Sequence, residues 1–252
     1  MNSVFANLLS SFKRTIYAIL SFTVYKQGVT KTINGAKIRF PLAYSRYYPS
    51  DYEPFKQKFI EDYAQGLTVD LGAHIGLYTV LLSQRATHVI AFEPTTFTRR
   101  VLSETVKFNA CTNVTVRSEM VADATGVGIF YETDAKVSNA NSLVPLGIPF
   151  SVNSLALDDL NMEVDFLKVD IEGAELLALR GAHRTLSTLK YMTLEIHPKL
   201  MEQLGQNVQE IFELLSHFTP EYYMEGKLVT VDALCKIKDH FEINVTLNGA
   251  TT

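Results

Sequence analysis

The sequence predicts an α/β protein built on a Rossmann-like, doubly wound and mostly parallel sheet. Apolar segments of strand length alternate with segments of helical periodicity from Leu67 onward, which is the pattern of successive βαβ units. The first unit is the sharpest. An apolar run, Leu67 to Leu71, stops at Gly72 and Gly76 and resumes with helical spacing at Ile75, Tyr78, Leu81 and Leu82. That is a buried strand, a tight turn and a helix. Residues 1–64 read differently, as an amphipathic helix, a hairpin and a lead-in segment, so the chain divides into 1–64 and a ligand-binding domain over 65–252.

Composition narrows the function classes. A chain of 252 residues, 47% hydrophobic, suffices for one large α/β domain with an N-terminal appendage. A net charge of −4, without a Lys/Arg block, argues against nucleic acid as a partner. Cys111 and Cys235 have no metal-ligand spacing and form no disulfide framework, which makes a reducing, cytoplasmic compartment the expectation.

In chain order, Val4 to Tyr25 places Phe5, Leu8, Leu9, Phe12, Ile16, Ile19 and Leu20 largely on one helical face. Lys13 and Arg14 interrupt it, leaving a stretch too short to span a bilayer and the wrong charge order for a secretory signal. Such a helix packs on its own domain or a partner subunit, or lies on a membrane surface. Val29 to Phe40 reads as a hairpin turning at Asn34-Gly35. The tyrosine-rich Tyr44 to Pro49 either lines a substrate mouth or is half-buried on a loop. A helix is expected from Glu53 to Tyr63. After the first βα unit come a strand over His88–Phe92, a helix over Thr96–Phe108 and a strand over Asn113–Arg117. Val127–Thr133 and Ser151–Leu155 read as further strands of the sheet. Then follow a strand over Val164–Asp170, one helix over Ala174–Leu186, a strand over Tyr191–Ile196 and a helix over Val208–His217. The tail, Pro220 to Asn248, alternates like edge strands.

In sheets of this kind ligands sit beyond the carboxyl ends of the strands. The glycine turn offers free backbone N–H groups there. The second strand ends in Glu93-Pro94, 23 positions after Asp70. An acid about 20 residues beyond a glycine loop accepts hydrogen bonds from both ribose hydroxyls of a nucleoside ligand. Two more strand ends carry chemistry. Asp170, Glu172 and Glu175 follow one strand, and Glu195 and His197 end its neighbour. Asp170 and Glu172 share a face if the chain is extended, as do Glu195 and His197. Glu172 and Glu175 also read as first-turn acids favoured by the helix dipole.

Together these residues resemble the FkbM family of S-adenosylmethionine-dependent methyltransferases. The matching pieces are VDLGAHIGLYT (69–79), AFEP (91–94), LDDL (157–160), FLKVDIEGAELLALRGA (166–182) and LEIHP (194–198). His74 stands where an Asn is usual. The resemblance implies a class I methyltransferase sheet with S-adenosyl-L-methionine across the glycine loop. Asp70, Gly72, Ala73, His74 and Gly76 would then surround its amino acid portion, with Tyr78 nearby. Glu93 would hold the ribose, and Glu119, Met120 and Val121 would border the adenine. It also implies O-methylation of a saccharide or natural-product hydroxyl.

A sulfonium is already activated, so the protein has to align the acceptor oxygen with it and remove a proton. His197 is the natural base, largely neutral at pH 7 if its pKa is ordinary. Glu195 or Asp170 could orient it or take the proton directly. In a second route a divalent metal on Asp170, Glu172 or Glu195 lowers the hydroxyl pKa. An NAD-type oxidoreductase and a non-catalytic cofactor-binding scaffold are the alternatives in other classes.

Overall fold

The computed structural model describes residues 23–132 and 142–247, together with Ile16 and Leu20. The expected N-terminal helix and the polar loop before Ser142 lie almost entirely outside the described residues.

The doubly wound sheet is present. Its parallel part comprises β3 (Leu67–Leu71), β4 (His88–Phe92), β5 (Val114–Arg117), β9 (Phe166–Val169) and β10 (Tyr191–Ile196). From β3 the chain winds outward through β4 to β5, and from β9 outward to β10 on the other side. The switch point therefore lies between the carboxyl ends of β3 and β9, where a crevice must open. The tail supplies β11 (Pro220–Met224), β12 (Lys227–Val229) and β13 (Phe241–Leu247). β13 is not an edge strand: it inserts antiparallel between β10 and β11. Its Ile243 and Val245 share one face and pack in the core, while Asn244 between them is buried on the other.

Two expectations need correction. The strands β7 (Gly126–Glu132) and β8 (Ile148–Ala156) do not extend the main sheet. With β6 (Met120–Ala122) they form a separate three-stranded sheet, ordered β6-β8-β7. The single helix expected over 174–186 is two, α4 (Glu175–Arg180) and α5 (His183–Thr188). The chain breaks at Gly181, where a Cβ would lie 2.2 Å from the Ala122 carbonyl.

The remaining helices are α1 (Pro54–Tyr63), α2 (Leu77–Ser83), α3 (Thr96–Phe108), α6 (Pro198–Gln203), α7 (Val208–Ser216) and α8 (Val231–Leu234). Among the described residues no helix is long and apolar enough to cross a membrane. One sheet face packs Val69, Leu71, Leu167, Val169 and Leu194 beneath Leu176, Ile211 and Leu215. On the other, the hairpin β1 (Val29–Ile33) and β2 (Ala36–Phe40), turning at Asn34-Gly35, joins α1 and α2 in a second core through Ile33, Ile38, Ile60, Ile75 and Leu81.

That second face is unusually polar. Strand alternation puts Asp70, Lys168, Glu195 and Glu242 on it, with Asp70 beside Lys168 and Glu195 beside Glu242 in register. Helix α1 accordingly turns Lys56 and Gln57 inward along with Phe59 and Ile60. Lys56 is 1% exposed, and its Nζ reaches Glu53 at 2.5 Å, Glu242 at 3.0 Å and Glu195 at 3.1 Å. Neither lysine was singled out in the sequence.

Candidate functional site

A cleft opens at the switch point. One end is formed by Gly72, Ala73 and His74 after β3, with Glu93 at the tip of β4. Beyond Glu93 the wall turns apolar, through Met120, Val121, Phe130 and Leu143. Asp170, against Gly72 across the switch point, carries the wall on to Glu172 and Glu195, and Tyr47, Tyr48 and Tyr52 line it as well. The tyrosine-rich segment thus contributes to the mouth.

The glycine loop takes its shape from crowding. Gly72 has φ +73°, and a Cβ there would sit 1.8 Å from the Asp170 carbonyl oxygen. The β3 and β9 ends therefore touch, which only glycine allows. His74 is held with φ +50°, and its Nδ1 lies 3.0 Å from the Tyr48 hydroxyl. Burial above all, and then Lys168, pull the His74 pKa down to about 4 against Asp170. The ring is therefore neutral. Since burial keeps Tyr48 protonated as a donor, Nδ1 accepts and Nε2 carries the hydrogen. That Nε2 is buried and has no hydrogen-bond partner among the described residues.

Glu93 is held by backbone donors, the His74 N–H to Oε2 at 3.1 Å and the Thr95 N–H to Oε1 at 2.9 Å. Burial raises its pKa to about 7 despite those bonds and Arg99. Asp70 and Gly76 do not line the cleft. Asp70 is 0% exposed, accepting from Thr79 Oγ1 at 2.6 Å and facing Lys168 Nζ at 3.1 Å. It braces the loop from beneath. Tyr78 lies on the wall, donating to Glu53 at 2.5 Å. Glu119 is paired with Arg117.

Glu172 stands before the start of α4, with φ +50° and Gly173 at +96°. Non-glycine residues in the left-handed region cost about 1 kcal/mol or more and gather at functional sites. Here the turn swings Glu172 back beside Asp170, whose carboxylate stays ionised: Lys168, Lys56 and His197 outweigh burial and lower its pKa. Glu172 Oε2 lies 3.4 Å from His197 Nε2, and Glu195 Oε1 lies 3.7 Å from it. Behind the ring, Glu175 Oε1 meets His197 Nδ1 at 2.7 Å. His197 is only 8% exposed and is not part of the cleft wall.

The expectation of a neutral His197 is therefore wrong. Burial lowers its pKa, but the hydrogen bond and charge of Glu175, with Glu172 and Asp170, outweigh it and bring it to about 9. Glu172 moves the same way for a different reason: burial and the neighbouring carboxylates raise it to about 8, against the opposing pull of His197. Asp170, Glu172 and His197 place one polar atom each within 4.8 Å of the other two, as do Glu53, Glu195 and Glu242. In the second group the Lys56 ammonium already sits among the three acids.

These features suit an adenosyl ligand whose ribose reaches Glu93 and whose base enters the apolar slot. Glu93→Ala is expected to weaken S-adenosylhomocysteine binding by roughly 1.5–3 kcal/mol, the worth of hydrogen bonds to a charged group. Titration calorimetry measures it, and unchanged affinity would move the ribose elsewhere.

Residues 70–222 match the methyltransferase FkbM domain family. No curated protein sequence matches the chain. Among solved structures, the chain is similar to an rRNA methylase from Streptococcus thermophilus, at 11% identity and a TM-score of 0.48, covering 77% of this chain and 94% of that one. It is also similar to a precorrin-6y C5,15-methyltransferase from Geobacter metallireducens, at 12% identity and a TM-score of 0.45, covering 79% and 90%.

Proposed function

The chain belongs to the FkbM methyltransferase family, and from that premise we propose that it methylates a hydroxyl oxygen of a saccharide or natural-product acceptor. Its cofactor is S-adenosylmethionine. The oxidoreductase alternative falls with the family assignment. When bound, the cofactor supplies a methyl group activated on a sulfonium. The observation that supports a hydroxyl acceptor is the group of carboxylates beside the glycine loop, where Asp170, Glu172 and Glu195 line the wall together. An aliphatic hydroxyl has to lose its proton as the new bond forms, and these are the groups on the wall that can take it.

Each residue has a separate task. Gly72 and His74 present backbone and ring donors, and Glu93 accepts from the ribose. Asp170, kept ionised by Lys168, puts negative charge where the ligand brings positive charge. Glu172 faces the cleft and accepts the acceptor proton on its carboxylate. His197, behind it, keeps a positive charge against that group. The tyrosines Tyr47 and Tyr52 offer faces to an acceptor ring.

The test is transfer from labelled cofactor to a panel of saccharide, lipid-linked glycan and polyketide acceptors. Label in an ether linkage is expected. Label on nitrogen or on a carboxylate, with no ether formed, would overturn the hydroxyl reading. Turnover is expected to survive chelation, because the His197 proton already supplies the positive charge among these acids. Loss of activity with EDTA, restored by a divalent cation, would transfer that task to a metal.

A further inference from the structure

We infer that Glu175 is a positioning residue for methyl transfer, fixing the His197 ring with its Nδ1 hydrogen inward and its Nε2 turned to Glu172. This inference rests on the hydroxyl-methylation reading for its link to turnover, but not for the geometry itself. Glu175 is 0% exposed and opens α4. Its Oε1 accepts from the Gly173 N–H at 2.9 Å and lies 2.7 Å from His197 Nδ1. A carboxylate so fully enclosed is costly unless paired and hydrogen-bonded. The His197 N–H is the side-chain donor that satisfies it, while its Oε2 has no partner of its own.

The sequence offers the bland account that an acid in the first turn complements the helix dipole. The geometry points away from it. A dipole-complementing acid has no need of a partner 22 residues away, just beyond the end of β10. Nor does it need the Gly173 turn, which is crowded against Leu200 at 2.6 Å from any added Cβ. That turn brings the Gly173 N–H onto the same oxygen that holds His197. One oxygen therefore fixes both the Glu172-Gly173 turn and the imidazole behind it.

The consequence is a line of three groups, Glu172, His197 and Glu175, ordered from cleft to interior. Asp170 and Glu195 flank the imidazole, and His240 stacks on it with centroids 6.0 Å apart. With Nδ1 committed to Glu175, a proton on Nε2 faces Glu172 and stabilises its ionised form. Taking the acceptor proton then neutralises Glu172 without leaving a carboxylate unpaired in the cleft. No oxidant or reductant is involved; one proton moves from the acceptor oxygen to the Glu172 carboxylate.

The test uses the full chain with nitrogen-15-labelled histidine, His197 being assigned by its loss in His197→Asn. In the wild type, Nδ1 should stay protonated on both sides of a titration centred near 9. In Glu175→Gln, whose amide oxygen can still accept from both N–H groups, the midpoint should fall by about one unit or more toward the ordinary value near 6.5. The rise of turnover with pH should move in the alkaline direction, because a neutral ring no longer stabilises ionised Glu172. S-adenosylhomocysteine affinity should stay within about twofold, and Glu175→Asp should recover part of both shifts.

A wild-type ring whose neutral form carries its hydrogen on Nε2 overturns the assignment, and that reading needs no variant. So does a Glu175→Gln midpoint within a few tenths of the wild type, or a lowered midpoint with an unmoved turnover limb. If no hydroxyl acceptor is ever methylated while the midpoint falls as expected, the acceptor reading fails and the ring assignment stands.

Discussion

Lys168→Met is expected to destabilise the protein by roughly 3–5 kcal/mol, the cost of removing one partner of a buried ion pair. Lys168 lies in the middle of β9, 1% exposed. Its Nζ holds Asp70 at 3.1 Å, the carbonyls of Leu71 and Gly72 at 3.2 and 3.1 Å, and Asp170 at 3.6 Å. Burial opposes its charge, but Asp70 and Asp170 outweigh that and raise its pKa, so it is an ammonium. Methionine keeps most of the volume and removes the charge. Asp70, with no exposed surface, would then be stranded against Thr79 alone. For a domain of this size, each kcal/mol lowers Tm by about 2–4 °C. A fall of some 6–20 °C in a reversible melt is the expected reading, with S-adenosylhomocysteine affinity falling too as the glycine loop loses its brace. The double variant Asp70→Asn, Lys168→Met should recover a good part of the loss, since neither charge is then left alone. A single variant as stable as the wild type would show that Asp70 is satisfied by other means.

That ion pair marks where the sequence stops being legible. The glycine loop, Glu93 and the strand-end acids are local signals: a few residues at fixed spacing, each placed by the strand or turn it terminates. Lys168 sits inside an apolar strand and Lys56 among other charges on a helix, and no local pattern marks either. Their partners lie far off in the chain, 139 residues separating Lys56 from Glu195. No spacing rule pairs them. What brings them together is the face they share, and that depends on strand order, which puts β9 between β3 and β10.

The same limit explains the misplaced strands. Alternation showed that 127–133 and 151–155 are extended, but alternation has no term for which sheet they join. Phe130 is buried against Phe150 in the small sheet, while Val127 and Ile129 remain exposed, a pattern equally readable as one face of a larger sheet. No local signal marks the break at Gly181, because its reason, the Ala122 carbonyl against it, is remote in sequence. Glu175 reads as a first-turn acid because its partner, His197, lies 22 residues on, just beyond the end of β10.

Glu172→Gln is expected to cut turnover by roughly 10²–10⁴, the usual worth of a positioned base, while leaving cofactor affinity nearly unchanged. The pH dependence makes this specific. A base works only when deprotonated, and burial with the surrounding carboxylates raises Glu172 to about 8 although His197 opposes it. Below that value the proton stays on Glu172 and the working form is depleted. Wild-type turnover should therefore climb as pH rises through about 8, and in Glu172→Gln that limb should vanish. His197→Ala should behave differently. It removes the positive charge that holds the Glu172 pKa down, so the limb should persist but move to higher pH, with turnover at pH 7 reduced. Measuring turnover from pH 6 to 10 in the three proteins separates the roles. A limb that disappears in His197→Ala and survives in Glu172→Gln would make the imidazole itself the base. Normal turnover in both variants would mean that the acids at the ends of β9 and β10 are structural, and that proton removal takes place elsewhere in the cleft.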